Sequence, residues 1–258
     1  MCIIIYKPKG VVLPPSKTIK TCFENNPDGC GYMLKTRQGV KINKGYFDVD
    51  ELINKLFTIK DIQDVELGIH FRITTHGATN ALNCHPFAIK RKLKDIRRTQ
   101  QTAAAAVMHN GVLSSVKVKS NSGLSDTAVY TRDVLNPLKT LNGGALTNSK
   151  QASDIINATR GTSRLLIFDG QGVKMFGNWL EDNGVFYSND SYKARYFDAW
   201  NTGWNSFWNT SKPLNFEACS ECLFNQECKA GGCYCLTEKQ AQEEAAASFD
   251  YYTGVVYD

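Results

Sequence analysis

Apolar and polar positions follow two periods along this chain, and the switches between them outline its elements. Cys2-Ile3-Ile4-Ile5-Tyr6 is a continuous apolar run, of the length expected for a strand buried on both faces. Pro14-Pro15-Ser16 stops it and offers Ser16 as the N-cap of a helix over Lys17–Glu24. Asn25-Asn26-Pro27-Asp28-Gly29 is turn chemistry, and Tyr32–Leu34 with Val40–Ile42 around Gly39 predicts a hairpin. Leu52, Ile53, Leu56 and Phe57 share one face of a predicted helix over Asp50–Phe57. Val65–Phe71 and Ala103–Met108 are apolar strands, each delivering a polar loop. Ser125 can cap a helix running through Leu135, and Ser153–Thr159 predicts a shorter one. Gly170, Gly172, Gly177 and Gly184 punctuate Arg164–Phe168, Val173–Phe176 and Val185–Tyr187 as a β-meander.

Beyond about residue 190 the pattern changes. The chain becomes rich in aromatic residues and Asn, then in Cys, then Ala/Glu/Gln-rich near Lys239–Ala247 where a helix is expected, and ends in a β-like tail over Tyr251–Tyr257. No repeat of fixed period is present. The elements predict one α+β domain over residues 2–195 and a C-terminal extension over 196–258.

Composition narrows this little. Of 258 residues, 42% are hydrophobic and 21% charged, an ordinary globular balance with a core of adequate size. The net charge of +5 is too mild to indicate nucleic acid. No apolar stretch approaches the roughly 20 residues of a membrane span, and Ile3–Ile5 is too short for the core of a secretory leader. The expected compartment is therefore the cytoplasm, where thiols stay reduced and nine cysteines do not read as a disulfide framework.

Several polar blocks carry candidate chemistry. Cys2 follows Met1 directly, and aminopeptidases remove Met before small residues. Processing would leave a thiol and a free α-amine on one residue, a nucleophile carrying its own base. His70-Phe71-Arg72-Ile73-Thr74-Thr75-His76-Gly77, followed by Asn83-Cys84-His85-Pro86-Phe87, is a strand end and polar loop whose Arg72 can fork onto a carboxylate. In His109-Asn110-Gly111, an Asn amide and a Gly N–H can point at one oxyanion. In Ser125-Asp126-Thr127, Asp126 can receive an ammonium. Each block alone has a plainer reading: a buried edge cysteine, a surface Arg, a tight Asn-Gly turn, a helix cap.

Their order is the stronger signal. Cys2, then Asn26-Pro27-Asp28-Gly29-Cys30-Gly31, then the Arg72 block, then His109-Asn110-Gly111, then Ser125-Asp126-Thr127 resembles the class II glutamine amidotransferase domain over about residues 2–195. The resemblance implies an N-terminal nucleophile (Ntn) hydrolase fold, a four-layer αββα sandwich of antiparallel sheets. It implies Cys2 as nucleophile with its α-amine as base, and Asn110 with Gly111 as oxyanion hole. Arg72 would hold the substrate carboxylate, with Thr75 and His76 in the loop closing over glutamine, and Asp126 would hold the α-amine. The reaction would pass through a γ-glutamyl thioester to glutamate and ammonia, with no cofactor. Many relatives carry an aromatic residue where this chain has Ile73.

The resemblance leaves other features open. The chain has no G-x-x-x-x-G-K-[ST] loop and no second domain of synthase size. The expected partner is therefore a separate ammonia-accepting synthase. The alternatives are a free-standing γ-glutamyl amide hydrolase and a non-catalytic, zinc-stapled interaction module. Cys219, Cys222, Cys228, Cys233 and Cys235 can supply four thiolates to a structural Zn²⁺, with an iron–sulfur cluster or free thiols as alternatives. Lys90–Arg98 is a basic run with a solvated face as its plain reading. Tyr196, Trp200, Trp204 and Trp208 recur every four residues and are expected to pack the extension.

Overall fold

The computed structural model describes residues 2–74, 77–119 and 122–193. The extension over 196–258, with its cysteines, aromatic series and expected helix, lies outside the described residues.

The described chain is mixed α+β, built on two antiparallel sheets. In chain order its elements are β1 (Ile3–Lys7), α1 (Ser16–Glu24), β2 (Cys30–Thr36), β3 (Gly39–Tyr46), α2 (Val49–Phe57), β4 (Leu67–Phe71), β5 (Phe87–Ala88), α3 (Leu93–Ile96), β6 (Gln100–Ala103) and β7 (Ala105–Asn110). There follow α4 (Asp126–Tyr130), α5 (Asn136–Leu141), α6 (Lys150–Thr159), β8 (Arg164–Asp169), β9 (Val173–Phe176), β10 (Leu180–Asp182) and β11 (Val185–Tyr187). A seven-stranded sheet has the order β10-β11-β1-β4-β2-β3-β6, and a four-stranded sheet the order β5-β7-β8-β9.

Three separate cores show how the layers stack. Ile3, Ile5, Ile69 and Phe71 of the larger sheet pack with Ile19 and Cys22 of α1 and Leu52 and Leu56 of α2. Ile4, Tyr6, Met33 and Ile42 on the opposite face meet Ala106, Met108, Leu166 and Phe168 of the smaller sheet. The outer face of that sheet, with Val107, Leu165 and Ile167, packs on Ala128, Leu135, Leu138, Ala152 and Ile156 of the second helical layer. Ile3–Tyr6 of β1 is apolar because successive side chains feed two different cores, and all five residues of the strand, Lys7 included, are buried. Each fully buried Ile there contributes roughly 1.5–3 kcal/mol.

Capping explains several boundaries. Ser125 Oγ accepts from Ala128 N, as its position before the α4 pattern predicts. Ser149 Oγ accepts from Ala152 N and starts α6 at Lys150, ahead of the expected Ser153. Ser16 does not cap α1: the N-cap is Pro15, which makes no side-chain bond, and Ser16 is the first helical residue. The helix expected through Leu135 widens into a π turn over Thr131–Leu135 and resumes as α5, with Pro137 in its first turn. Proline has no N–H to give to a carbonyl in the preceding turn, so regular pairing cannot cross it.

Two strand assignments change. The run over 103–108 divides, with Ala103 ending β6 against β3 while β7 starts at Ala105 against β8 in the other sheet. Val185–Tyr187 does not continue the meander of β8 and β9. It crosses to the larger sheet and pairs with β1, Ile5 opposite Tyr187 and Tyr6 opposite Phe186. This crossing brings residues 188–191 beside the start of β1.

Candidate active site

Register places the N-terminal thiol. β1 pairs with β4 so that Ile3 faces Phe71, which sets Cys2 beside the turn Arg72-Ile73. Cys2 Sγ lies 3.4 Å from both the carbonyl oxygen and the amide nitrogen of Ile73. Behind it, Asn189 Nδ2 donates to the Cys2 carbonyl at 2.7 Å. Burial pushes the thiol pKa up, opposed by the Ile73 hydrogen bond and the Arg72 guanidinium. The sulfur is thus held in its protonated form, and attack requires a base.

Arg72 is 3% exposed and continues the β4 line. Its N–H donates to Gly29 O, its carbonyl accepts from Asp28 N, and its Nη1 donates to Ala78 O at 3.1 Å. Thr74 N donates to Asp28 Oδ2 at 2.7 Å, so the Asn25–Gly29 turn and the Arg72 loop are tied together. Asn83 Nδ2 donates to Ala78 O and Gly123 O, both at 2.9 Å, which pins the far side of that loop. Thr75 and His76 lie outside the described residues.

The end of β7 supplies the next wall. Gly111 has φ +136°, and a Cβ there would stand 2.5 Å from Ser163 Oγ. No L side chain fits that backbone and that space. Asn110 is fully buried; its Nδ2 donates to Ser188 Oγ at 2.9 Å and its Oδ1 has no partner. Ser188 Oγ also accepts from Ile4 N at 2.8 Å, so one hydroxyl joins β1 to the Asn110 amide.

Asp126 opens α4. Its Oδ2 accepts from Leu113 N at 2.9 Å, and its Oδ1 from Thr127 N at 2.7 Å and Thr127 Oγ1 at 3.3 Å. Cys2, Arg72, Ile73, Gly111, Ser125 and Asp126, together with His85, His109 and Thr127, line one cleft enclosing about 300 Å³, open solvent included. Of the residues singled out in the sequence, Cys2, Arg72, Gly111 and Asp126 therefore meet in one place, while the Asn110 side chain is not part of the cleft wall.

The cleft wall belongs to a buried layer that the sequence did not reveal. His70, His85 and His109 are all buried; the rings of His70 and His85 stack with centroids 4.1 Å apart. Burial lowers the pKa of His70 to about 3 and of His109 to about 4, and holds His85 well below its usual value. All three are neutral near pH 7. Lys44, also buried, sits 3.9 Å above the Phe87 ring and donates to Leu82 O at 3.3 Å; burial holds its pKa well below that of a free amine. Thr127, Ser188 and Asn189 are further site residues that the sequence reading missed. Thr127 stands in the Ser125-Asp126-Thr127 block, where residue type alone gives it no role, and Ser188-Asn189 carries only the signal of a polar pair after a strand.

Among the described residues no group of three His, Cys, Asp or Glu side chains could hold a metal ion. The cysteines proposed for zinc, Cys219, Cys222, Cys228, Cys233 and Cys235, are outside them. No helix among the described residues is long and apolar enough to cross a membrane.

No family model matches the chain, and no curated protein matches it in sequence. Among solved structures it is similar to a glutamine phosphoribosylpyrophosphate amidotransferase from B. subtilis, complexed with ADP and GMP, at a TM-score of 0.41 and 14% identity. The match covers 72% of this chain and 41% of that one, so the chain spans about two-fifths of that protein's length. A likeness at this level carries no argument, and the functional reading rests on the residues themselves.

Proposed function

We propose that the mature chain is an N-terminal cysteine amidohydrolase of the class II glutamine amidotransferase type, acting on the side-chain amide of glutamine. The observation that carries this reading is the meeting of Cys2, Arg72, Gly111 and Asp126, from four distant parts of the chain, around one small cleft. With Met1 removed, the Cys2 α-amine, of ordinary pKa about 7.7–8.0, takes the thiol proton. The sulfur then attacks the amide carbon, and the carbonyl electrons move onto oxygen. The Gly111 N–H, on the cleft wall, receives that oxyanion; the Asn110 amide, buried outside that wall, joins it in this reading once substrate opens the wall, through the hydrogen not given to Ser188. Collapse expels the nitrogen, which takes the proton from the α-amine and leaves as ammonia. Water hydrolyses the thioester to glutamate and regenerates the thiol. Arg72 and Asp126 fix the zwitterionic end of the substrate, one charge each.

The ammonia acceptor in this reading is activated on a separate synthase. A free-standing γ-glutamyl amide hydrolase uses the same groups, and product analysis with and without candidate synthases separates the two. The test of the reading is ammonia release from glutamine by protein shown by intact mass to have lost Met1. Release abolished in Cys2→Ala, with a glutamine-mimicking alkylator labelling Cys2, is the expected result. No release from mature protein, or label on another cysteine, overturns it.

A further inference from the structure

Thr127 is 1% exposed, and its hydroxyl has three polar neighbours. His85 Nε2 lies at 3.1 Å, His109 Nδ1 at 2.9 Å and Asp126 Oδ1 at 3.3 Å. A threonine hydroxyl has one proton to give and two lone pairs to receive with, so the three contacts match its capacity. The direction of each follows from the groups left over. His85 Nδ1 and His109 Nε2 are buried and have no partner. A proton on either would be an orphaned buried donor, costing about 1–3 kcal/mol, whereas a bare ring lone pair is better tolerated. Each neutral ring therefore carries its proton on the nitrogen that faces Thr127. His70 follows the same rule: its Nε2 donates to His109 O at 3.0 Å and its Nδ1 is the unpartnered nitrogen. With both lone pairs of Thr127 Oγ1 occupied, its proton goes to Asp126.

We infer that Thr127, backed by His85 and His109, is a positioning residue that fixes the Asp126 carboxylate as an ammonium receptor, so that the cleft selects amides bearing a free α-amine. The inference rests on the amidohydrolase reading above. Two hydrogen bonds hold Asp126 Oδ1 and one from Leu113 N holds Oδ2, leaving acceptor capacity on Oδ2 for a ligand in the cleft that Asp126 lines. Without the hydroxyl, the carboxylate loses one of its restraints and the two imidazole N–H groups lose their acceptor.

The test uses mature protein, with ammonia release measured from glutamine and from glutaramate, which is glutamine without its α-amine. Thr127→Val and Thr127→Ala remove the hydroxyl, and Thr127→Ser keeps it. Loss of the hydroxyl is expected to raise KM for glutamine about tenfold, roughly the worth of one charge-assisted hydrogen bond. Turnover should stay within about threefold, glutaramate kinetics should be unmoved, and Thr127→Ser should behave as the parent. Equal loss on both substrates, or a fall in turnover at constant KM, overturns the inference and leaves the amidohydrolase reading standing. A parent protein silent on both substrates overturns that reading instead. Nitrogen-15 spectra of labelled histidine then still decide the hydrogen-bond assignment. His109 must appear as the Nδ1–H tautomer, with its shift moved in Thr127→Val; an Nε2–H tautomer overturns it.

Discussion

Gly111→Ala places a single methyl group where the cleft wall has no room for one. The residue sits at φ +136°, and the new Cβ would stand 2.5 Å from Ser163 Oγ and 2.9 Å from both Cα and Cβ of Ser163. The hydroxyl can swing away only by giving up its bond to Val112 O at 3.0 Å, and the Ser163 backbone can move only with β8, which starts at the next residue. Backbone strain of this kind costs about 1–3 kcal/mol and local overpacking about another 1–3 kcal/mol. The expected loss is thus about 2–6 kcal/mol, a large share of an ordinary domain's stability. For a unit of this size it lowers the thermal midpoint by about 5–20 °C. If the Gly111 N–H receives the oxyanion, turnover measured below both midpoints should fall on the order of 10²–10³ with little change in KM. The assays are a calorimetric melt and ammonia release on the same preparations. A midpoint within about 2 °C of the parent, with activity retained, refutes the reasoning. So does full rescue by Ser163→Ala, which removes only the hydroxyl and leaves the backbone clash in place.

Asp169 is 1% exposed at the β8–β9 turn, and its carboxylate accepts from Leu146 N, Thr147 N, Thr147 Oγ1, Gln171 N and Gly172 N. Burial opposes its ionisation, but the bonds from Thr147, Leu146 and Gln171 outweigh it and lower the pKa. Its contribution is therefore complete above the unfolded value of about 3.9 and lost as pH falls through the lower folded value. Asp169→Asn sets an NH₂ against at least two donors. It should cost about 3–5 kcal/mol in urea unfolding at pH 7 and flatten the acid limb of stability; an unchanged acid limb counts against the assignment. Ser188→Ala should lower turnover about tenfold in the parent but leave an Asn110→Ala background unchanged, because the hydroxyl acts through the Asn110 amide. Additive losses in that double-mutant cycle would assign Ser188 to strand support alone.

Much of the fold is legible in local pattern. The β1 run, the Leu52, Ile53 and Leu56 face of α2 and the Ser125 cap appear where period and capping chemistry put them, since each depends on residues within a few positions of one another; Phe57, expected on the same face at the helix end, is exposed. The failures are long-range. Val185–Tyr187 has the pattern of a third meander strand, but pairing with β1 is decided by an edge some 180 residues away. The run over 103–108 shows no break because a change of sheet at Ala104 leaves the apolar pattern uninterrupted. The site divides in the same way. Cys2, Arg72, Gly111 and Asp126 stand out by residue type and order, whereas Ser188 and Asn189 are two small polar residues whose contacts exist only because β11 crossed sheets.

The sequence by itself determined the period of each element, the chemical groups available and the order in which they occur. Tertiary structure alone decided that residues 2, 72, 111 and 126 share a cleft. It alone decided that His85 and His109 line that cleft with His70 stacked on His85, all three neutral, and that burial raises the pKa of the Cys2 thiol. Periodicity is a property of neighbours along the chain. Convergence and desolvation belong to groups brought together from far along it, and those same contacts set the protonation on which the proposed chemistry depends.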